Sequence, residues 1–428
     1  MASPRHSFAY LFERFPSFVQ TFVYREAVEM VHQQMAPWLV SIRQPDDPGE
    51  LAEKLNVEVF YLPEEKALRA KVDAQRTSRQ LAWRPHKAIP RHRSERDAQR
   101  MFEAIWLAPQ LRERGIRHVH AHFGGVAART AWWLRELFGF TYSFTGHAND
   151  IFCATDFPVS NEALVHGARF VVTETDFARR WMEEQYPHVR GKVFRVFNGI
   201  EMSGFSPRER AGAVPSIVSV GRYVEKKGFG DLIEACRLLH ERGVEFVCSI
   251  AGGGPLEPEL RAQVEHARLS ERVQLLGPRP QAEVRRLLAQ ASIFALACAP
   301  DSEGGSDNLP TVIMEAMATG VPVVSTRIAG VPEMVSDGQE GLLTAPREPR
   351  SFSEALERLL RDPAFAASCG ERGRTTAVAK FSIEETTRVL KHLLVRHAGV
   401  VPPAAARRFD PELPQFGLLA RIAARFRI

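Results

Sequence analysis

Short apolar runs alternate with amphipathic segments along the whole chain, the pattern of parallel strands buried on both faces and covered by helices. In the first half the runs that predict strands are 8–12, 38–42, 57–60, 119–120, 142–144, 170–172 and 193–196. A second series follows at 216–220, 245–251, 273–276, 293–297 and 321–325, each run followed by a helical pattern. Between the two series lies EMSGFSPRERAGAVP, which carries Gly and Pro without a periodic pattern, as an interdomain linker should. Two doubly wound α/β domains are therefore expected, with ligands beyond the C-terminal strand ends. Dense charge at 69–100 interrupts the first series and reads as a helical excursion or a loop.

Composition changes this picture little. The 428 residues, 45% of them hydrophobic, suffice for two ordinary cores. The net charge of +5 comes from 56 basic and 51 acidic residues, too mild an imbalance for a nucleic-acid-binding protein. Five scattered cysteines without a C-x-x-C pair predict neither a disulfide framework nor a zinc site, and fit a reducing cytoplasm. The opening MASPRHSFAYLFERFPSF lacks a signal peptide's apolar core, and no run reaches the roughly 18 apolar residues of a membrane span. The expected location is cytoplasmic, with any membrane contact peripheral.

Three segments of the second half carry candidate chemistry. In SIVSVGRYVEKKGFGDLIEA a strand ends at Gly221, a loop presents Arg222 and Lys226-Lys227, and Gly228 opens a helix. Cations at such a turn suit a diphosphate, Arg as a planar fork and Lys as a point charge; the bland alternative is a solvated basic loop. In FVCSIAGGGPLEPEL, Gly253 and Gly254 belong to a loop that lets backbone approach a ligand, or to a plain turn. In APDSEGGSDNLPTVIMEAMATGVPVVST an acidic, Gly-rich loop runs into a helix beginning near Pro310. The free N–H groups after Leu309 and Pro310 form an anion site where a diphosphate can dock at Thr311. Glu315 lies four residues past Thr311 on nearly the same face, placed to accept hydrogen bonds from ribose hydroxyls or simply to complement the helix dipole. Asp307 precedes the helix, placed for the hydroxyls of a sugar beyond the phosphates.

This third stretch resembles the E-x7-E region of glycosyltransferase family 4, the retaining GT-B enzymes. Here Asp307 stands at the first acidic position, eight residues before Glu315, where the family has Glu. Glu303, twelve residues before Glu315, is the rival. Arg222 and Lys227 match the family's phosphate-binding pair, 251–256 its Gly-Pro loop, and ERVQLLGPRPQAEVRRLLAQASIFAL, with Arg279, its nucleotide-base segment. VHAHFGGVAARTAWWLRELFGFTYSFTGHANDIF and YLFERFPSFVQTFVYREAVEM resemble the subgroup of colanic acid and other exopolysaccharide transferases. The resemblance covers nearly the whole chain, the charged insertion and the last thirty or so residues excepted.

What the resemblance implies is a GT-B fold, two Rossmann-like domains facing across a cleft: 1–200 an acceptor domain, 213–382 the nucleotide-sugar donor domain, and 383–428 crossing back onto the first. His147 would face the donor sugar across the cleft, hydrogen-bonding a hydroxyl, unless it is a capping or solvent-facing histidine. Asp150 is open to three readings: catalytic, orienting His147, or capping the next segment. His120 and His122 alternate along a strand, but no third ligand accompanies them and the family generally works without bound metal, so no metal and no cofactor are expected. The implied activity is transfer from a UDP- or GDP-sugar, with retention, to a glycan or lipid-linked acceptor in cell-surface polysaccharide synthesis. The alternatives are a weakly active nucleotide-sugar-binding scaffold subunit, or an epimerase or phosphorylase of related fold. The acceptor site is expected around 15–21 and the charged insertion. The tail PQFGLLARIAARFRI puts Leu418, Leu419, Ile422 and Phe426 on one helical face, which suits either an anionic membrane surface or packing on the protein.

Overall fold

The computed structural model describes residues 6–17, 20–45, 57–77, 95–152, 156–208, 214–302 and 305–402. Seven strands form the first sheet: β1 (Phe8–Arg14), β2 (Pro37–Arg43), β3 (Val59–Tyr61), β4 (His118–His122), β5 (Thr141–Gly146), β6 (Val171–Thr173) and β7 (Val193–Arg195), in the order β3-β2-β1-β4-β5-β6-β7. Six form the second: β8 (Ser216–Val220), β9 (Val247–Ala251), β10 (Val273–Gly277), β11 (Ile293–Leu296), β12 (Val323–Thr326) and β13 (Gly341–Thr344), in the order β10-β9-β8-β11-β12-β13. All the pairings are parallel. The direction of strand order reverses between β1 and β4 and again between β8 and β11, which opens a crevice at the C-terminal edge of each sheet.

The expected α/β class with two Rossmann-like domains is what the chain adopts. Its strands read as near-continuous apolar runs because both sheet faces are buried. Along β1, Phe8, Tyr10 and Phe12 enter one core, and Ala9 and Leu11 the other. The strand at 341–344 was not expected: Gly341-Leu342-Leu343-Thr344 is too short to show a period. Part of the charged insertion is helical, in Glu65–Thr77 and Glu95–Glu113; 78–94 lies outside the described residues.

The helix Ile383–Ala398 lies against Thr21–His32, where Lys391 Nζ donates to the Gln33 carbonyl at 3.0 Å, and it buries Leu390, Leu393 and Leu394 in the core of Phe8 and Tyr10. Its start is tied to the chain after the first sheet by the Ile200–Ser382 bridge. Among the described residues no helix is long and apolar enough to cross a membrane, and the cysteines, all buried, are free thiols. The tail from 403 onward, with the amphipathic face of Leu418 to Phe426, lies outside the described residues, as does Cys153.

Candidate active site

Parallel pairing sets strand ends side by side, and that places the first group of polar side chains. His122 ends β4, His147 follows β5 by one residue, and Glu174 follows β6 by one, so neighbouring strands deliver them in a row. His147 Nδ1 meets Glu174 Oε1 at 2.5 Å, and His147 Nε2 meets His122 Nε2 at 2.9 Å. The imidazole is 7% exposed and wedged against Phe22 and Phe123, with ring centroids 5.0 and 4.5 Å away. Burial alone would depress its pKa, but the charge and hydrogen bond of Glu174, aided by Asp150 and Glu26, hold it above the usual histidine value. Glu174 is lowered: burial opposes ionisation, and His147, Asn198 and Asn308 outweigh it. Both ring nitrogens of His147 are thus engaged within the protein, so contact with a sugar hydroxyl requires one bond to be exchanged.

The loops behind this row are pinned by buried polar groups. Asp150 Oδ2 accepts from the N–H of Gly124 at 3.0 Å and of His147 at 3.2 Å, and burial raises its pKa. Through these bonds Asp150, in the first turn of the helix Ala148–Phe152, both fixes the His147 backbone and caps the start of that helix. Arg129, 1% exposed, donates to the carbonyls of Gly124 and Val159 and to Asn161 Oδ1. Phe123 has φ +71, a left-handed conformation unusual for a bulky residue and held here between the His122 strand end and the anchored Gly124. His118 and His120 do not face open space: Thr141, Ser143 and Thr145 of β5 occupy their nitrogens at 2.7 to 3.1 Å, and burial keeps both rings well below the usual pKa. Among the described residues no group of three or more His, Cys, Asp or Glu side chains is arranged to hold a metal ion.

The second sheet's edge is built mostly of backbone. The turn Glu225–Lys227 ends at Gly228, φ +65, where a Cβ would lie 1.7 Å from the Ala297 carbonyl oxygen. Gly252 and Gly254, φ +151 and +156, press on Gly221 and Tyr223 so closely that a Cβ would stand 1.8 and 2.6 Å from their carbonyl oxygens. Gly253 differs: its Cβ would touch only the Pro278 ring. The three loops after β8, β9 and β11 therefore nest, and Lys227 is carried onto Asp307, with Nζ bonded to Oδ2. Burial works against the ammonium, but Asp307, and to a lesser degree Cys298, holds the Lys227 pKa above its usual value. Burial also pushes the neighbouring Cys298 thiol up to about 12.

Arg222 and Arg279 stand exposed at the same edge, Arg279 3.8 Å from Glu283. The helix Thr311–Thr319 is capped by Pro310, not opened by it, and Leu309 is buried beneath. Glu315 is 9% exposed with its pKa raised by burial, against the pull of Arg25 and Arg285. The charge of Arg25, on the helix Thr21–His32 of the other domain, acts on this carboxylate. Glu303 lies outside the described residues.

Asn308, between Asp307 and Leu309, joins the two edges. Its Nδ2 donates to Glu174 Oε2 at 3.2 Å and its Oδ1 accepts from Thr175 Oγ1 at 2.7 Å, so the partner of His147 is bonded to the loop carrying the partner of Lys227. Beside it Glu333 accepts from the N–H groups of Asp176 and Phe177, both at 2.7 Å, at the start of the helix Asp176–Gln185. Sequence reasoning missed Glu174, Asn308, Glu333, Arg25 and the His122 bond. One signal was available: Glu174 follows its strand as His147 follows its own. Of the expected acceptor region, Phe15 is buried and stacked on Phe12, 18–19 lie outside the described residues, and Thr21 starts a helix.

Residues 207–376 match the family described as Glycosyl transferases group 1. The putative colanic acid biosynthesis glycosyltransferase WcaL of Escherichia coli (strain K12) is 38% identical over 288 residues, 64% of this chain and 69% of that protein. The amylovoran biosynthesis glycosyltransferase AmsK of Erwinia amylovora is 35% identical over 182 residues, 42% of this chain and 45% of that protein. Among solved structures, a glycosyltransferase from Rickettsia africae superposes with a TM-score of 0.69 at 16% identity, covering 91% of this chain and 98% of its own. Anabaena Alr3699/HepE in complex with UDP gives 0.64 at 16% identity, covering 90% and 99%. These likenesses show the fold to be GT-B.

Proposed function

The chain belongs to the group 1 glycosyl transferases, and from that premise we propose that it moves a sugar from a UDP- or GDP-sugar, with retention, onto a glycan or lipid-linked acceptor of exopolysaccharide or other cell-surface polysaccharide synthesis. The observation that carries this reading is the juxtaposition at the cleft: Lys227 and Asp307 on one edge, His147 and Glu174 on the other, joined through Asn308. The names of WcaL and AmsK, each a polysaccharide biosynthesis glycosyltransferase, support the pathway class. The UDP bound to Alr3699/HepE supports a nucleotide donor.

Chemically, a nucleoside diphosphate leaves as negative charge grows on its phosphate oxygens. Lys227 and Arg222, with the free N–H groups at Thr311, supply fixed positive charge where other transferases use a divalent ion. Asp307 then exchanges part of its bond with Lys227 for the donor sugar's hydroxyls, and Glu315 accepts the ribose hydroxyls. The leaving phosphate takes the acceptor's proton on the same face of the sugar, which preserves the anomeric configuration and asks for no protein nucleophile. The enzyme works in the cytoplasm, with peripheral contact at the inner face of the plasma membrane where the acceptor is lipid-linked.

The test is a calorimetric and product-release screen with UDP-, GDP-, ADP- and dTDP-sugars, in EDTA and with magnesium, beside Glu315→Ala. Binding and slow release of one nucleotide in EDTA, lost in the variant, is the expected result. Binding of none by the native protein would favour a scaffold subunit, and dependence on magnesium would remove the metal-free mechanism.

A further inference from the structure

His147 does not end at its contact with His122. His122 Nδ1 lies 3.0 Å from the Tyr10 hydroxyl, and that hydroxyl is bonded to Glu26 Oε1. The direct span from His122 Nδ1 to Glu26 is 3.7 Å, too long for a hydrogen bond, so Tyr10 is the bridge. Tyr10 and His122 are 0% and 1% exposed and Glu26 9%. A line of four side chains, from β1, β4, the residue after β5 and the helix Thr21–His32, therefore runs through the protein interior.

Proton counting along this line is restrictive. Two Nε2 atoms at 2.9 Å need one hydrogen between them, and His147 Nδ1 already donates to Glu174. If His147 is neutral, His122 donates from Nε2 and accepts at Nδ1 from Tyr10, whose oxygen accepts from a protonated Glu26. If His147 is the imidazolium, each bond reverses: His147 donates to His122, His122 to Tyr10, and Tyr10 to the Glu26 carboxylate. Both arrangements satisfy every link with the same number of protons. Withdrawing one proton leaves two lone pairs facing each other at some link, a penalty for buried groups.

We propose that Glu26, Tyr10 and His122 form a proton relay that charges and discharges His147 without exchange with bulk water, Glu26 being the reservoir. In one transfer the Glu26 proton passes to the Tyr10 oxygen as the Tyr10 proton passes to His122 Nδ1 and the His122 Nε2 proton to His147 Nε2. The neutral Glu26 and His147 become a carboxylate and an imidazolium, and no proton is gained or lost. Burial raises Glu26 to about 7, against the Tyr10 bond and the charge of His147, so the reservoir is matched to a histidine. Burial, then His147 and His120, keeps His122 well below its usual value, which makes it a conduit that holds no charge of its own. The other charged groups at His147 are Glu174 and Asp150; at Glu26, among the described residues, stand the Tyr10 hydroxyl, the charge of His147 and, 3.7 Å away, His122 Nδ1. In the transferase reading, the chain lets His147 turn cationic as the anionic diphosphate arrives and neutral as it leaves. That use rests on the proposed function, whereas the chain itself does not.

The test is a pH titration of the full-length protein by NMR, with labelled histidine side chains and glutamate carboxyls, in the native protein, Tyr10→Phe and Glu26→Gln. The native protein should show the His147 and Glu26 signals moving with one shared midpoint. Tyr10→Phe, which removes only the bridging oxygen, should split them into two, and Glu26→Gln should lower the His147 midpoint by about one pH unit. Separate midpoints in the native protein, or a His147 curve untouched by either substitution, would overturn the relay. The native measurement decides even if a variant fails to fold, and a failed donor screen beside a shared midpoint would fault the transferase reading alone.

Discussion

The two strand edges that face each other across the cleft are built by opposite means. The edge of the second sheet is made of backbone: three loops nest because Gly228, Gly252 and Gly254 carry no Cβ, and they deliver one part-buried ion pair, Lys227 with Asp307. The other edge is made of side chains from separate elements, almost wholly buried, and what it delivers is hydrogen bonds whose direction depends on a proton. A charge held by loops is fixed before any ligand arrives; a charge held by a buried chain can be moved. Leaving-group stabilisation calls for the first, and a residue that must answer a changing field calls for the second.

The largest effect should come from breaking the backbone side. Gly228→Ala puts a Cβ 1.7 Å from the Ala297 carbonyl oxygen at φ +65. Overlap and left-handed strain together should cost roughly 3 kcal/mol or more, read as a lower urea midpoint of the purified protein. Gly243→Ala, at φ +71 but with nothing within 4 Å, is the control and should lose only about 1 to 2 kcal/mol. Equal losses would mean that nesting contributes nothing.

Next in size, Lys227→Met keeps the stem and removes the charge. Turnover of the matching donor should fall by about 10²-fold or more if the ammonium acts as a fixed stabiliser of the leaving diphosphate. A smaller loss in turnover with much weaker nucleotide binding would mark it instead as a ground-state contact.

The contrast also explains what could be read from the chain. Strand runs, helix starts and the glycine loops are local, and segments such as SIVSVGRYVEKKGFG show strand, loop and helix within a few turns. His147 was visible because it follows a strand and a Gly. Its function as one member of a chain was not, since Tyr10, Glu26, His122 and Glu174 come from elements whose neighbourhood is decided only by strand order. Asp150 shows the same limit: three readings fit its position in the sequence, and its bonds to the N–H groups of Gly124 and His147 emerge only in the fold. Strand 341–344 escaped for the plainer reason of its length.

On the side-chain edge the expected effects are smaller and depend on pH. Glu174→Gln removes the carboxylate that holds His147 above its usual pKa. A raised histidine stabilises the fold most below its unfolded value, and this is lost as pH rises through the folded value. The lowered Glu174 stabilises above its unfolded value, and this is lost as pH falls through the folded one. The native protein should therefore exceed Glu174→Gln in unfolding free energy chiefly between the two folded pKa values, the gap narrowing toward both acid and alkali. A gap that is flat with pH would show that the pair is not ionic.

The smallest expected effect lies where the edges are tied. Glu333 belongs to the domain of the second sheet, yet its carboxylate satisfies the N–H groups of Asp176 and Phe177 at the start of a helix in the other domain. An acid at a helix start is worth about 0.3 to 1 kcal/mol when exposed and up to about 2 when partly buried. Burial raises the Glu333 pKa despite those two bonds, so part of this gain is spent on desolvation. Glu333→Gln should accordingly lower stability by only about 1 kcal/mol, because the amide oxygen still accepts one bond. Its diagnostic signature is elsewhere: hydrogen exchange at the amides of Asp176 and Phe177 should quicken while the strands on either side keep their protection. If those amides stay protected, the Asn308 bonds to Glu174 and Thr175 hold the two edges together without it.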